Sequence, residues 1–122
     1  MIKVVFCLRK RDGMTREQFF EYWHNHHAAL ARKTRATMPW RRYVQNLTIT
    51  CDVGTAANAA RGGTPEYDGV AEAWFDSLES FTEGAATSEE GQTAMDIMFK
   101  DEFNFIDLKR STFFLVEEYE IS

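Results

Sequence analysis

The chain has 122 residues, enough for one domain with one core, and its 44% hydrophobic and 27% charged content is that of an ordinary soluble globular protein. The net charge of -5 argues against a nucleic-acid partner, which needs a basic patch, and no apolar run of about 18 residues is present to span a membrane. Cys7 and Cys51 are too few for a disulfide framework, and the opening Met1-Ile2-Lys3-Val4-Val5-Phe6 lacks the long apolar segment of a secretory leader, so a reduced, cytoplasmic protein is expected.

In chain order, residues 2–9 are β-branched and aromatic and predict a buried strand. Asp12-Gly13 makes a turn, and Thr15 with Gln18 three residues on predicts a capping box opening a helix. That helix runs from about Arg16 to the late twenties or beyond. All three histidines fall in it, within the stretch His24-Asn25-His26-His27. On a wheel of 3.6 residues per turn, His26 shares the apolar stripe with Phe19, Trp23 and Leu30, while His27 flanks it beside Phe20. Residues 41–51 predict a second strand, with Tyr43, Gln45, Leu47 and Ile49 on one face and Val44, Asn46, Thr48 and Thr50 on the other.

Residues 52–66, rich in Gly, Ala and Thr, are expected to form a long loop, a candidate lid. Residues 67–75 predict a third strand. Asp76-Ser77 caps a short helix through about Ala86, and Ser88-Glu89-Glu90 opens another, with Ala94, Ile97, Met98, Asp101 and Phe105 at helical spacing. The last strand runs from Thr112 to about Ile121. The order β-α-β-β-α-β is the split βαβ, ferredoxin-like arrangement, an α+β class with helices on one face of a four-stranded antiparallel sheet. The strands carry apolar or aromatic groups on both sides. The bare face therefore predicts a homodimer, sheet against sheet, enclosing a barrel-like interior.

Four stretches carry a family resemblance: Ile2–Phe6 with Met14-Thr15-Arg16-Glu17-Gln18-Phe19; Tyr22-Trp23 followed by His27-Ala28; Tyr67-Asp68-Gly69-Val70-Ala71-Glu72-Ala73-Trp74-Phe75-Asp76-Ser77; and Asp101-Glu102 with Phe105-Ile106-Asp107. In these the chain resembles the EthD-type members of the dimeric α+β-barrel superfamily. A proline that the family carries after His-Ala is Ala29 here. The resemblance implies a cofactor-free enzyme on a small aromatic polyketide-like or lactone substrate bound in the barrel, by cyclisation, dehydration, decarboxylation or isomerisation. It also includes members without known activity, so a non-catalytic homodimer that holds an apolar metabolite for a partner oxidase is the alternative.

His27 matches the family histidine and is the first candidate for a general acid/base, since imidazole moves protons near neutral pH. His26 is the second, on periodicity. Glu72, mid-strand between Val70 and Trp74, is either an inward partner that orients His27 or a surface charge. Trp23, Trp40, Tyr43, Trp74 and Phe113 are candidates to line an aromatic pocket. Asn46, Arg9 or Tyr43 could hold a substrate oxygen, and of Asn46 and Gln45 only one can face the cavity. Asp101 and Asp107 read as residues that end the helix and start the last strand. His24 and His27, at i,i+3, could share a metal completed by an Asp or Glu, but with no His-x-x-x-His pair and no cysteine nearby, no metal site is expected.

Overall fold

The computed structural model describes residues 1–122, the side chains at 85 and 86 excepted. Four strands, β1 (Ile2–Leu8), β2 (Arg42–Leu47), β3 (Gly69–Phe75) and β4 (Thr112–Glu117), form one sheet in the order β2-β3-β1-β4. Every neighbouring pair is antiparallel. The helices α1 (Arg16–Glu21), α2 (Ala28–Thr34), α4 (Leu78–Phe81) and α5 (Glu89–Glu102) belong to the two crossovers. The expected ferredoxin-like α+β fold is therefore the one observed.

Strand alternation sorts the sheet into two faces. Val4, Phe6 and Leu8 of β1 and Ala71, Ala73 and Phe75 of β3 pack with Phe19, Trp23, Phe81, Phe105 and Ile106 under the helices. Lys3, Val5 and Cys7 of β1, with Val70, Glu72 and Trp74 of β3, point to the opposite face. The last strand stops at Glu117 rather than near Ile121 because its only partner is β1, and Glu117 pairs with Ile2 at the start of that strand. Likewise β2 ends at Leu47, opposite Gly69 at the start of β3, and leaves Ile49 exposed.

The expected capping box forms: Thr15 Oγ1 accepts from Gln18 N at 3.1 Å, and Thr15 N donates to Gln18 Oε1 at 2.9 Å. Between α1 and α2 the helix does not stay regular. Tyr22–His27 is a π-helical turn, whose Ala28 N–H reaches back five residues to Trp23 O. Gln45 Nε2 of β2 donates to the same carbonyl at 2.9 Å and braces the wide turn against the sheet. The turn decides which histidine is inside. In a regular helix four residues overshoot a turn by about 40°. The π turn absorbs that drift, so the buried positions recur every fourth residue, at Phe19, Trp23, His27 and Ala31. His27 is 4% exposed, whereas the His26 side chain is 57% exposed. The wheel that favoured His26 fails because the helix is not α-helical there.

The loop expected over residues 52–66 is instead partly helix, α3 (Asp52–Ala60), none of whose residues is buried. Its second half, Ala56-Ala57-Asn58-Ala59-Ala60, is made of the best helix former around a single Asn. Asp52 lies in the first turn, where a carboxylate complements the helix dipole. Gly62, at φ 63°, takes the left-handed conformation that stops it.

Gly69 is required by close approach. A Cβ there would lie 2.6 Å from Trp23 Cζ3 and 3.0 Å from Asn46 O. Gly69→Ala is expected to lower stability by about 1–3 kcal/mol by displacing the buried indole. Urea unfolding checks this, and an unchanged midpoint contradicts it.

Candidate active site

A cavity of about 850 Å³ lies between the helix-side face of the sheet and helices α2 and α5. Its floor is Val4, Phe6, Ala71, Ala73 and Phe75; its walls include Met38, Trp40, Tyr43, Phe81, Met95 and Met98. Phe99, Phe103 and Phe113 form an exposed rim. The small side chains of Ala71 and Ala73 leave the space, and unbranched methionines give it an adaptable apolar wall. The cavity opens on the helix side, where the sheet carries the small side chains of Ala71 and Ala73.

His27 lines this cavity and is held by a carboxylate from α5. Its Nδ1 lies 2.8 Å from Asp101 Oδ2. Asp101 Oδ1 accepts from Tyr22 Oη at 2.6 Å and from Asn104 Nδ2 at 3.3 Å, and Asn104 Nδ2 also donates to Tyr22 Oη at 3.1 Å. Burial alone would raise the Asp101 carboxyl, but the bonds from Tyr22, His27 and Asn104 outweigh it and hold it below the usual range. An ionised carboxylate only accepts, so the His27 proton sits on Nδ1. The Nε2 lone pair, on the other side of the ring, is left for the cavity. Burial lowers the His27 pKa, against the opposing pull of Asp101, so the ring is neutral and basic at pH 7. Phe105, with its ring centroid 4.9 Å from that of His27, fixes the imidazole plane.

Tyr22 is pushed up to about 12 by burial and by its bond to Asp101, which keeps it a donor. His26 Nε2 stands 3.3 Å from Asp101 Oδ1 at the surface, with its ring centroid 4.7 Å from that of Tyr22. It belongs to the network but not to the cavity lining. His24 is stacked on Phe20 at the surface.

The other sequence candidates divide by sheet face. Trp40, Tyr43 and Phe113 line the cavity. Glu72 borders the floor between Ala71 and Ala73, but its carboxylate is bonded on the opposite face to Lys3 Nζ (2.6 Å) and Asn46 Nδ2 (2.9 Å). The Lys3 ammonium holds it below the usual range. It does not orient His27, since mid-strand alternation turns it away; Asp101 has that position. Asn46 is on the same bare face as Glu72, so Gln45 is the member of that pair on the helix side. Trp74 is also on the bare face, with Lys3 Nζ 5.0 Å and the Arg42 guanidinium 4.8 Å from its ring. Trp23 is core, 1% exposed. Arg9 donates to Pro65 O and Glu66 O and stacks on Tyr67, away from the cavity.

Sequence reasoning missed Glu102. It lines the cavity, and burial together with the charge of Asp101 raises its pKa to about 8. The i, i+3, i+4, i+7 row Met95, Met98, Phe99 and Glu102 was the available signal, a carboxyl at the end of an apolar helix face. Among the described residues, no group of three His, Cys, Asp or Glu side chains is placed to hold a metal ion. Both cysteines are free, so no Cys7–Cys51 bridge forms.

A sequence model of the EthD domain matches residues 11–109. The chain belongs to the EthD family. Comparison with curated proteins finds no match. Among solved structures, this EthD-family chain is similar to an EthD family protein from Bacillus halodurans C-125, at 22% identity and a TM-score of 0.64, over 98% of this chain and 99% of that one. It is also similar to a dimeric protein of unknown function with a ferredoxin-like fold from Bacteroides fragilis, at 14% identity and a TM-score of 0.59, over 96% and 95% of the two chains. A third similar structure is At3g17210 of Arabidopsis thaliana, at 15% identity and a TM-score of 0.59, over 100% and 99%. At these identities the likeness carries the fold alone.

Proposed function

We propose that this EthD-family chain is an acid/base enzyme that needs no cofactor and acts on a small, flat, oxygenated apolar ligand, an aromatic polyketide-like or lactone compound, bound in the helix-side cavity. The observation that carries this is the His27–Asp101 pair. A buried carboxylate fixes the ring tautomer and leaves a basic nitrogen at an apolar cavity of a size suited to such a ligand. The reaction classes open to one positioned imidazole are cyclisation, dehydration, decarboxylation and isomerisation, each including a proton transfer at carbon or oxygen. The two free thiols suit a cytoplasmic protein, and among the described residues no helix is long and apolar enough to cross a membrane.

The test is ligand fate. Flat aryl ketones and lactones are incubated with the protein and recovered for mass spectrometry. Ligand altered by the wild type and returned unchanged by His27→Ala supports the reading. Ligand bound by the wild type yet returned unchanged makes the protein a carrier and contradicts it.

The active unit in this reading is a homodimer. The bare face presents Val5, Val44, Val70, Trp74, Phe114 and Val116 around the Lys3–Glu72–Glu118 cluster, with Phe114 42% exposed. A monomer would leave that apolar surface to water, and the similar Bacteroides fragilis protein is itself dimeric. Light scattering at micromolar concentration is expected to give twice the 14.1 kDa chain mass, and Phe114→Glu is expected to split the pair. A monomer mass for the wild type contradicts the dimer.

A further inference from the structure

Helix α5 lines the cavity with Gln92, Met95, Asp96, Met98, Phe99 and Glu102, and Glu102 ends the apolar row Met95, Met98 and Phe99. Among the described residues, no side chain hydrogen-bonds or ion-pairs with that carboxyl. The titratable groups around it are Asp101 on its own helix, His27 across the cavity and Tyr43 on β2, whose own ionisation is opposed by burial and, more weakly, by the Glu102 charge. Asp96, also on the cavity, is ion-paired to Lys100 at 2.9 Å. Among the described residues, no cation is paired with Glu102. An unpaired carboxyl in an apolar wall costs stability and gives no packing in return.

We propose that Glu102 is a second catalytic residue, the acid that hydrogen-bonds the carbonyl oxygen of a bound ligand while His27 Nε2 faces the adjacent C–H bond. The inference rests on the reading of His27 as the base, and it names the substrate class: an uncharged, flat carbonyl compound with an acidic hydrogen on the neighbouring carbon. A carboxylic acid can donate to a carbonyl, whereas a carboxylate would repel the same oxygen.

The step balances within the site. The His27 Nε2 lone pair takes the proton from carbon. The C–H electron pair becomes the C=C bond, and the carbonyl π pair moves to oxygen, which takes the Glu102 proton. The products are an enol, a Glu102 carboxylate and a His27 imidazolium stabilised by Asp101. Reversal returns the imidazolium proton to carbon and the enol proton to Glu102, so no further reactant is consumed. Imidazolium protons exchange with solvent, so the site writes solvent hydrogen into the ligand.

The probe is 2-tetralone in deuterium oxide, with loss of its C1 hydrogens followed by proton NMR. The wild type is expected to exchange them faster than buffer, with a rate that falls on an alkaline limb centred near pH 8 as Glu102 loses its proton. Glu102→Gln keeps the shape but has no proton to give, and is expected to slow exchange by about 10²-fold and to abolish that limb. A role in structure alone would not remove the limb, and the wild-type profile needs no variant to fold. Exchange no faster than buffer, or Glu102→Gln at the wild-type rate with the limb intact, overturns the proposal. If in the latter case His27→Ala is still inactive, the His27 reading stands without it. If His27→Ala exchanges normally, that reading falls.

Discussion

His27→Ala is expected to lower turnover of a cavity ligand by about 10²–10⁴-fold, the usual contribution of a positioned general base. The reason is geometric. His27 alone among the histidines lines the cavity, with Nδ1 committed to Asp101 at 2.8 Å and Nε2 on the open side. Asp101→Asn is expected to cost about 10²-fold with the ring still present, because an amide neither enforces the Nδ1–H tautomer nor stabilises the imidazolium that forms. The same change leaves Tyr22 Oη and Asn104 Nδ2 facing a neutral acceptor. Rates measured on 2-tetralone check both substitutions. A loss below about tenfold in His27→Ala contradicts the general-base role.

The second large effect is on stability against pH. Burial and the neighbouring Asp101 charge push the Glu102 carboxyl up to about 8 in the folded chain, from an ordinary 4.5. Between those values the folded state binds more protons than the unfolded one, so stability falls as pH rises through that window and then levels off. The loss is at most about 5 kcal/mol. His27 acts with the opposite sign. Its folded pKa lies below 6.5, so the unfolded chain binds more protons between the two values and stability rises with pH there. Between pH 6.5 and about 8 the Glu102 slope dominates. Glu102→Gln is expected to flatten it and to stabilise the chain by a few kcal/mol at pH 9 while changing little at pH 5. Urea unfolding at a series of pH values measures this. An equal slope in wild type and variant between pH 6.5 and 8 would falsify the half-buried, uncharged Glu102.

The sheet was legible because alternation and β-branching are local: strands β1 and β3 and the Thr15–Gln18 capping box could be read from neighbouring residues. The helix at 52–60 was hidden by Gly54 and Thr55, which read as loop residues, while the alanines that follow them carry the helix. The choice between His26 and His27 could not be made on a wheel, because the π turn depends on a tertiary contact, Gln45 Nε2 to Trp23 O, across 22 residues of chain. The carboxylate for His27 comes from 74 residues away. Glu72 was nearer in motif but turned to the wrong face by the strand that carries it. Asp101 and Glu102 are adjacent and chemically alike, yet one is ionised by three donors and the other kept neutral by an apolar wall. That division exists only after α5 has packed.

The most direct measurement of the His27–Asp101 pair is a long-range ¹H–¹⁵N NMR spectrum of the histidine side chains at pH 7, assigned with His24→Gln, His26→Gln and His27→Gln. The result expected for His27 is the neutral Nδ1–H tautomer, with Nε2 unprotonated and a midpoint below 6.5. An imidazolium at pH 7, or a neutral ring with its proton on Nε2, would contradict a base aimed into the cavity.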